Sequence, residues 1–235
     1  MILPEALKFL PLFALALRKS DWLRSNKSAD APEIDADTRA AAILNLHSYS
    51  PALFTATLYP LFFCLQDMAE KDGKLRQPDE TTSRRHADKY VVPKPSYPSS
   101  ENLSEDGLVL MVAGLDIYFW IGRKVSRGNL QKLFGMFDLP TSSSRLNRID
   151  FHRRDNDLSE RIHNIIDCVK ARLYVNPSRF RTHLVLQSQG MSESNDLEDK
   201  FLSYLIEDKN RHGMSHVEML CHVHKKIQQK MNEYD

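Results

Sequence analysis

Between Gly107 and Arg123 the chain reads G-L-V-L-M-V-A-G-L-D-I-Y-F-W-I-G-R, and apolar side chains occupy nearly every position. Leu108, Leu110 and Val112 alternate with Val109, Met111 and Ala113, so both faces of an extended run are apolar. Such a run belongs to a strand covered on both sides. Ile117, Phe119 and Ile121 then share one face, and Tyr118 and Trp120 the other. Gly114-Leu115 between the two runs predicts a two-residue hairpin, with Gly114 at the first central position of a type II′ turn, where φ is positive. The pattern predicts adjacent antiparallel strands at 107–113 and 116–121, with Trp120 in the core. Helices must cover both faces.

Elsewhere the period is mostly helical. Leu3, Leu7, Leu10, Ala14 and Leu17 form a stripe over 3–19, as one helix or two meeting at Pro11. Phe9, Leu12, Phe13 and Leu15 fill the other faces, so this helix needs cover from neighbours. Residues 21–37 are polar. A second helix is predicted over 38–47, capped by Asp37, with Ile43, Leu44 and Leu46 inward. Ser50-Pro51 opens a third, in which Phe54, Leu58, Leu61, Phe62 and Leu65 keep helical spacing and Pro60 should kink or split it.

Residues 69–100 are charged and then proline-rich, the composition of a linker, with Tyr90-Val91-Val92 as a short edge strand. The group Arg84, Arg85, His86 and Lys89 reads as a solvated basic face. After the hairpin come a helix over 128–137 burying Leu130, Leu133, Phe134 and Phe137, and a polar connection over 141–156. Asp157 caps the next helix, which carries Leu158, Ile162, Ile165, Ile166, Val169 and Leu173 on one face. A strand over 182–187, a helix over 196–207 and a last helix over 215–231 complete the chain. The last shows Leu220, Val223, Ile227 and Met231 on one side, a stripe expected to pack on the sheet or on the first helices. The fold class is therefore α+β. Its expected parts are a helical unit over 1–68, a linker over 69–100 and a mixed-sheet domain over 101–235.

Composition narrows the function classes. Lys and Arg total 32 against 31 Asp and Glu in 235 residues, so no overall field draws the chain to nucleic acid or a membrane surface. Cys64, Cys168 and Cys221 are dispersed, as reduced thiols are. The apolar run Phe9–Leu17 is too short to span a bilayer, and Arg18-Lys19 follow it where a signal peptide would carry small residues. No glycine-rich phosphate loop, paired C-x-x-C or nucleophile elbow is present. His212 and His216 stand four apart without a third ligand, so they read as cap-region histidines. Cys221 with His222 and His224, and Cys168 with His163, read as helix thiols beside imidazoles. Catalytic, cofactor and metal residues are all expected to be absent, and no cargo-binding residue is assigned.

Five stretches carry a family resemblance. L-P-E-A-L-K-F-L-P-L-F-A-L-A-L-R-K-S (3–20) and L-Y-P-L (58–61) resemble the helical region of the cargo-binding subunit of the COPII vesicle coat, the Sec twenty-four type. S-S-E-N-L-S-E-D-G-L-V-L-M (99–111) with I-Y-F-W-I-G-R-K-V (117–125) resembles the opening of that family's gelsolin-like domain. L-S-E-R-I-H-N-I-I (158–166) and G-M-S-H-V-E-M-L-C-H-V-H-K-K-I (213–227) resemble its long helix and closing segment. The resemblance implies a non-enzymatic coat protein at the cytosolic face of the endoplasmic reticulum. Such a protein works with a paralogous partner subunit in transport to the Golgi. It also implies that the chain corresponds to the carboxy-terminal part of a family member, either as a truncated sequence or as a short form. The apolar helices of residues 1–68 are then expected to self-associate or to meet an upstream coat segment.

A second reading is a calcium-regulated, actin-binding protein of the wider gelsolin-like group. Calcium requires several oxygen ligands. Asp116 offers one, but the predicted helix over 128–137 contains no Asp or Glu.

Overall fold

The structure is a computed structural model that describes residues 4–24, 33–76, 89–139, 151–188 and 196–233. Its centre is a four-stranded sheet in the order β1-β2-β3-β4, from Leu61–Cys64, Leu108–Ala113, Asp116–Ile121 and Arg181–Leu186. The first three strands are antiparallel neighbours, and β4 runs parallel to β3. Ala113 pairs with Asp116, so Gly114-Leu115 is the whole hairpin loop, and Gly114 has a φ of 63°. A Cβ at Gly114 would lie 2.4 Å from Thr57 Oγ1, which closes this position to any side chain on steric grounds as well.

Every residue of β2 and β3 is buried. Alternation sends Leu108, Leu110, Val112, Ile117, Phe119 and Ile121 to one face. There they meet α3 (Pro51–Leu58), α4 (Arg127–Phe134) and α5 (Asp157–Arg172). The opposite face, with Val109, Met111, Tyr118 and Trp120, is closed by Phe201 and Leu205 from and just after α6 (Asp196–Ser203). Trp120 stacks on Phe201 with centroids 6.5 Å apart. The helices expected near 128–137 and 158–173 thus cover one face only, and α6 supplies the other.

A third core joins the ends of the chain. Leu12, Leu15 and Ala16 of α1 (Leu10–Lys19) pack with Trp22, Leu58, Ile206 and Met219 of α7 (His216–Asn232). The last helix therefore returns to the first. Its anchors are Met219 and Val223, whereas Leu220, Ile227 and Met231 of the expected stripe lie exposed. Its start is set by a Ser215–Glu218 capping box.

Several local expectations are corrected. Pro11 lies in the first turn of α1, where a missing N–H costs nothing, and a separate 3-10 turn covers Glu5–Leu7. The second helix, α2 (Ala36–Ser48), is capped by Asp35, whose carboxylate accepts from the Thr38 N–H at 2.7 Å. Ile43, Leu44 and Leu46 are exposed rather than inward, and no α2 residue is buried. Pro60 ends the third helix, and Leu61–Cys64 continue as an edge strand, so 1–68 is not wholly helical. Asn156, not Asp157, caps α5 by accepting from Ser159 N–H at 2.9 Å. Gly135, with a φ of 68°, ends α4 and leaves Phe137 exposed. The Arg84, Arg85 and His86 group lies outside the described residues.

The described parts of 69–100 are tied to the sheet domain. Val91 exchanges backbone hydrogen bonds with Gly73 and Lys74, and Ser96 pairs with Phe62 of β1. Arg161 Nε donates to the Asp72 carbonyl at 2.6 Å, and Asn164 Nδ2 to that of Gly73 at 2.9 Å. The short edge strand expected at Tyr90 is a single bridge to Leu75.

Phe63 is 2% exposed in the larger core. Phe63→Ala should cost roughly 3–5 kcal/mol, as a full core truncation does. Urea unfolding should show a lowered midpoint with an unchanged slope; a loss below about 1 kcal/mol would mean that the edge strand is a loose appendage.

Candidate functional site

Asp116 lies on the face of β3 that carries Tyr118 and Trp120, because strand side chains alternate with period two. It opens β3 where the parallel neighbour β4 also begins, directly opposite Arg181. One carboxylate oxygen lies 3.0 Å from Arg181 Nε and 2.9 Å from His183 Nε2. The other accepts from Arg181 Nη2 at 3.2 Å and faces Lys200 Nζ of α6 at 3.5 Å. The His183 ring stacks on Tyr118 with centroids 4.9 Å apart. Burial alone would raise the Asp116 pKa. The hydrogen bond from His183 and the charges of Lys200 and Arg181 outweigh that and hold it below the usual value. The residue singled out as a calcium ligand is thus a buried anion surrounded by protein cations.

Lys200 also borders a cleft of about 450 Å³ between α1, the start of α2 and the segment that precedes α7. Lys19, at the end of α1, is 3% exposed, and its ammonium donates to the carbonyls of Ile206 at 2.8 Å and Asp208 at 2.6 Å. Desolvation lowers its pKa to about 8, with Asp208 and Glu218 opposing. Arg24 is 8% exposed; Nη2 lies 3.3 Å from Asp21, while Nε and Nη1 are buried without a hydrogen-bond partner among the described residues. Trp22 stacks on Phe54 at 5.0 Å and donates its indole N–H to the Ala42 carbonyl at 2.6 Å. Arg39 holds this turn by donating to the carbonyls of Trp22 and Arg24 at 3.1 and 2.8 Å.

The structure separates the histidines that the sequence set side by side. His212 borders this cleft, whereas His216, the first residue of α7, borders a second, more apolar groove with Cys221, His224 and Pro11. Cys221 is exposed and Cys168 buried. His163 Nδ1 donates to the Ser159 carbonyl, 2.8 Å away, and its ring stacks on Phe151. Among the described residues, no three His, Cys, Asp or Glu side chains gather as a metal site, and no helix is long and apolar enough to cross a membrane. Sequence reasoning missed Lys19, Arg24 and Arg211, which stand at opposite ends of the chain.

Desolvation, then the charges of Arg24, Arg211 and Lys19, depress the His212 pKa from 6.5 to about 4. The unfolded chain therefore takes up this proton first as pH falls. The stability carried by neutral His212 is complete above pH 6.5 and is lost towards pH 4. His212→Gln should flatten the pH dependence of the unfolding free energy from urea titrations over that window, by at most about 1.4 kcal/mol per pH unit. An identical slope in both proteins would contradict the cationic surroundings assigned to His212.

Comparison with known proteins gives the fold a lineage. Residues 89–139 match the gelsolin repeat family. The chain is 31% identical over 233 residues to the protein transport protein SEC24 C of Arabidopsis thaliana, covering 99% of this chain and 18% of that protein. It is 28% identical over 233 residues to human protein transport protein Sec24C, with the same coverage. The crystal structure of the human COPII-coat protein Sec24c superposes with a TM-score of 0.68 at 28% identity, over 98% of this chain and 27% of that one. The chain thus spans less than a third of these relatives, but the likeness runs almost from its first residue to its last. By sequence and by fold it belongs to the Sec24 family.

Proposed function

We propose that the chain is a non-enzymatic component of the COPII coat, in the cargo-adaptor family, acting in transport from the endoplasmic reticulum to the Golgi. The observation that carries this reading is the continuity of the Sec24 likeness across both the amino-terminal helices and the gelsolin-like sheet. A gelsolin-like fold alone would not choose between coat and cytoskeleton, because one fold hosts many functions. The helices before the sheet, and the third core that locks them to α7, extend the likeness well beyond the 51 residues of the gelsolin match.

The paralogous inner-coat subunit is the proposed partner, and the cytosolic face of the endoplasmic reticulum the proposed location. Within this reading, α1, α2 and α3 form the helical part and the sheet domain begins at β1. Leu7, Phe9, Leu10 and Leu44 are exposed in that helical part and support contact with another coat segment or a second copy. The calcium-regulated, actin-binding alternative loses support from the hub at Asp116. A cation there would have to displace Arg181, His183 and Lys200 from the carboxylate.

The direct experiment grafts this chain in place of the matching segment of a Sec24 relative and measures vesicle budding from endoplasmic-reticulum membranes with purified coat components. The chimera should assemble with the partner subunit and release vesicles. A well-folded chimera that failed to join the coat would count against the reading.

A further inference from the structure

Helix α7 runs on past the body that supports it. Met219 and Val223 anchor its first half in the third core, but every residue from His224 to Glu233 is exposed. A free helical half of this length is marginal in water unless something packs on it. Val217, Leu220, His224, Ile227 and Met231 succeed one another at alternate spacings of three and four, the repeat with which two helices pack as a coiled coil. All five are exposed, and the four apolar ones are 37–69% exposed. At about 100° per residue this strip lies roughly a quarter turn from the line of Met219 and Val223, so docking on the body does not use it up. A groove of about 490 Å³ runs along the same strip, with Lys8 and Pro11 on one wall and Leu220, His224 and Ile227 on the other.

We propose that α7 is a self-association helix, along which two copies of this chain pair antiparallel over residues 220–231. Leu220 then lies opposite the partner's Met231, and His224 opposite the partner's Ile227. The strip contains no Lys, Arg, Asp or Glu, so like faces like without repulsion, and nothing in it selects an oppositely charged partner. Lys225 and Lys226 lie more than about 100° around the helix from it, so it lacks the lysine border of a helix that binds anionic lipid. The body sits at the amino-terminal end of α7. Antiparallel pairing therefore sets the two bodies at opposite ends and lays each free half along the other, whereas parallel pairing crowds both bodies together. Opposed helix dipoles favour the same arrangement. His224 is the one polar member of the strip and fixes the register at some cost in stability. Four side chains per copy fall short of the roughly 800 Å² per partner of a standard complex, so the dimer is weak, with a Kd of about 10–100 µM. The pairing does not depend on the coat assignment, and its failure would leave that assignment standing.

Sedimentation equilibrium of the 235-residue chain should fit a monomer–dimer scheme with a Kd in that range. Ile227→Asp should weaken the dimer by about tenfold or more, and His224→Leu should tighten it by about tenfold. Leu44→Asp, on the exposed side of α2, should leave it unchanged. All three positions are exposed, so circular dichroism should show an unaltered fold. Orientation is read by oxidising a mixture of Leu220→Cys and Met231→Cys chains, both carrying Cys221→Ser. The mixed disulfide should exceed either same-variant disulfide. A chain still monomeric at about 500 µM would overturn the proposal. So would a dimer that Ile227→Asp leaves intact or Leu44→Asp abolishes, or a predominance of same-variant disulfides. A monomer that bound phosphatidylserine vesicles through Ile227 would assign the strip to lipid instead and overturn it too.

Discussion

The hairpin of β2 and β3 is the constraint from which the rest follows. All twelve residues of its strands are buried, so neither face can meet water and the chain must supply a cover for each. One cover comes from α3, α4 and α5, the other from α6 and the residues after it. Since α3 precedes the sheet and α6 follows it, covering the hairpin draws sequence-distant segments together. Leu58, at the end of α3, and Ile206, just after Leu205, then build the third core with α1 and α7. What reads in sequence as a helical unit beside a sheet domain is a set of layers around one hairpin.

Polar groups mark where this layering ends. At the open end of β3, Asp116 draws in Arg181 and His183 from β4 and Lys200 from α6, so a single carboxylate ties the sheet to the helix that covers it. A buried anion is tolerated only when paired in this way. The neighbouring cleft draws its cations from α1 and the segment before α7. The two sites share Lys200.

The hairpin was legible because two β-rich apolar runs joined by a glycine turn fit little besides a pair of doubly covered strands. The edge strand was not. Leu61-Phe62-Phe63-Cys64 is apolar at every position, and such a run fits a buried helix as well as a buried strand. The deciding cue was Pro60, which ends α3 and leaves the residues after it to pair as a strand. The exposed leucines of α2 could not be foreseen, because amphipathic spacing states which side a helix would bury and not whether anything lies beside it. Caps at Asp35 and Asn156 were missed by one or two positions because neighbouring Asp and Asn residues cap equally well. The cleft was illegible in sequence. Lys19 meets a carbonyl 187 positions away, and nothing local to either segment signals that meeting.

The central claim is that the amino-terminal helices and the gelsolin-like sheet form one cooperative body. The chain has two tryptophans, Trp22 in the core that joins α1 to α7 and Trp120 within the sheet. Trp120→Phe leaves Trp22 as the only indole reporter, and Trp22→Phe leaves Trp120. Equilibrium urea unfolding should be followed in both variants by fluorescence and by circular dichroism. The account predicts that, within each variant, emission and backbone signals fall together in one transition. A Trp22 signal lost at clearly lower urea than the helical and sheet signal of the same variant would contradict it.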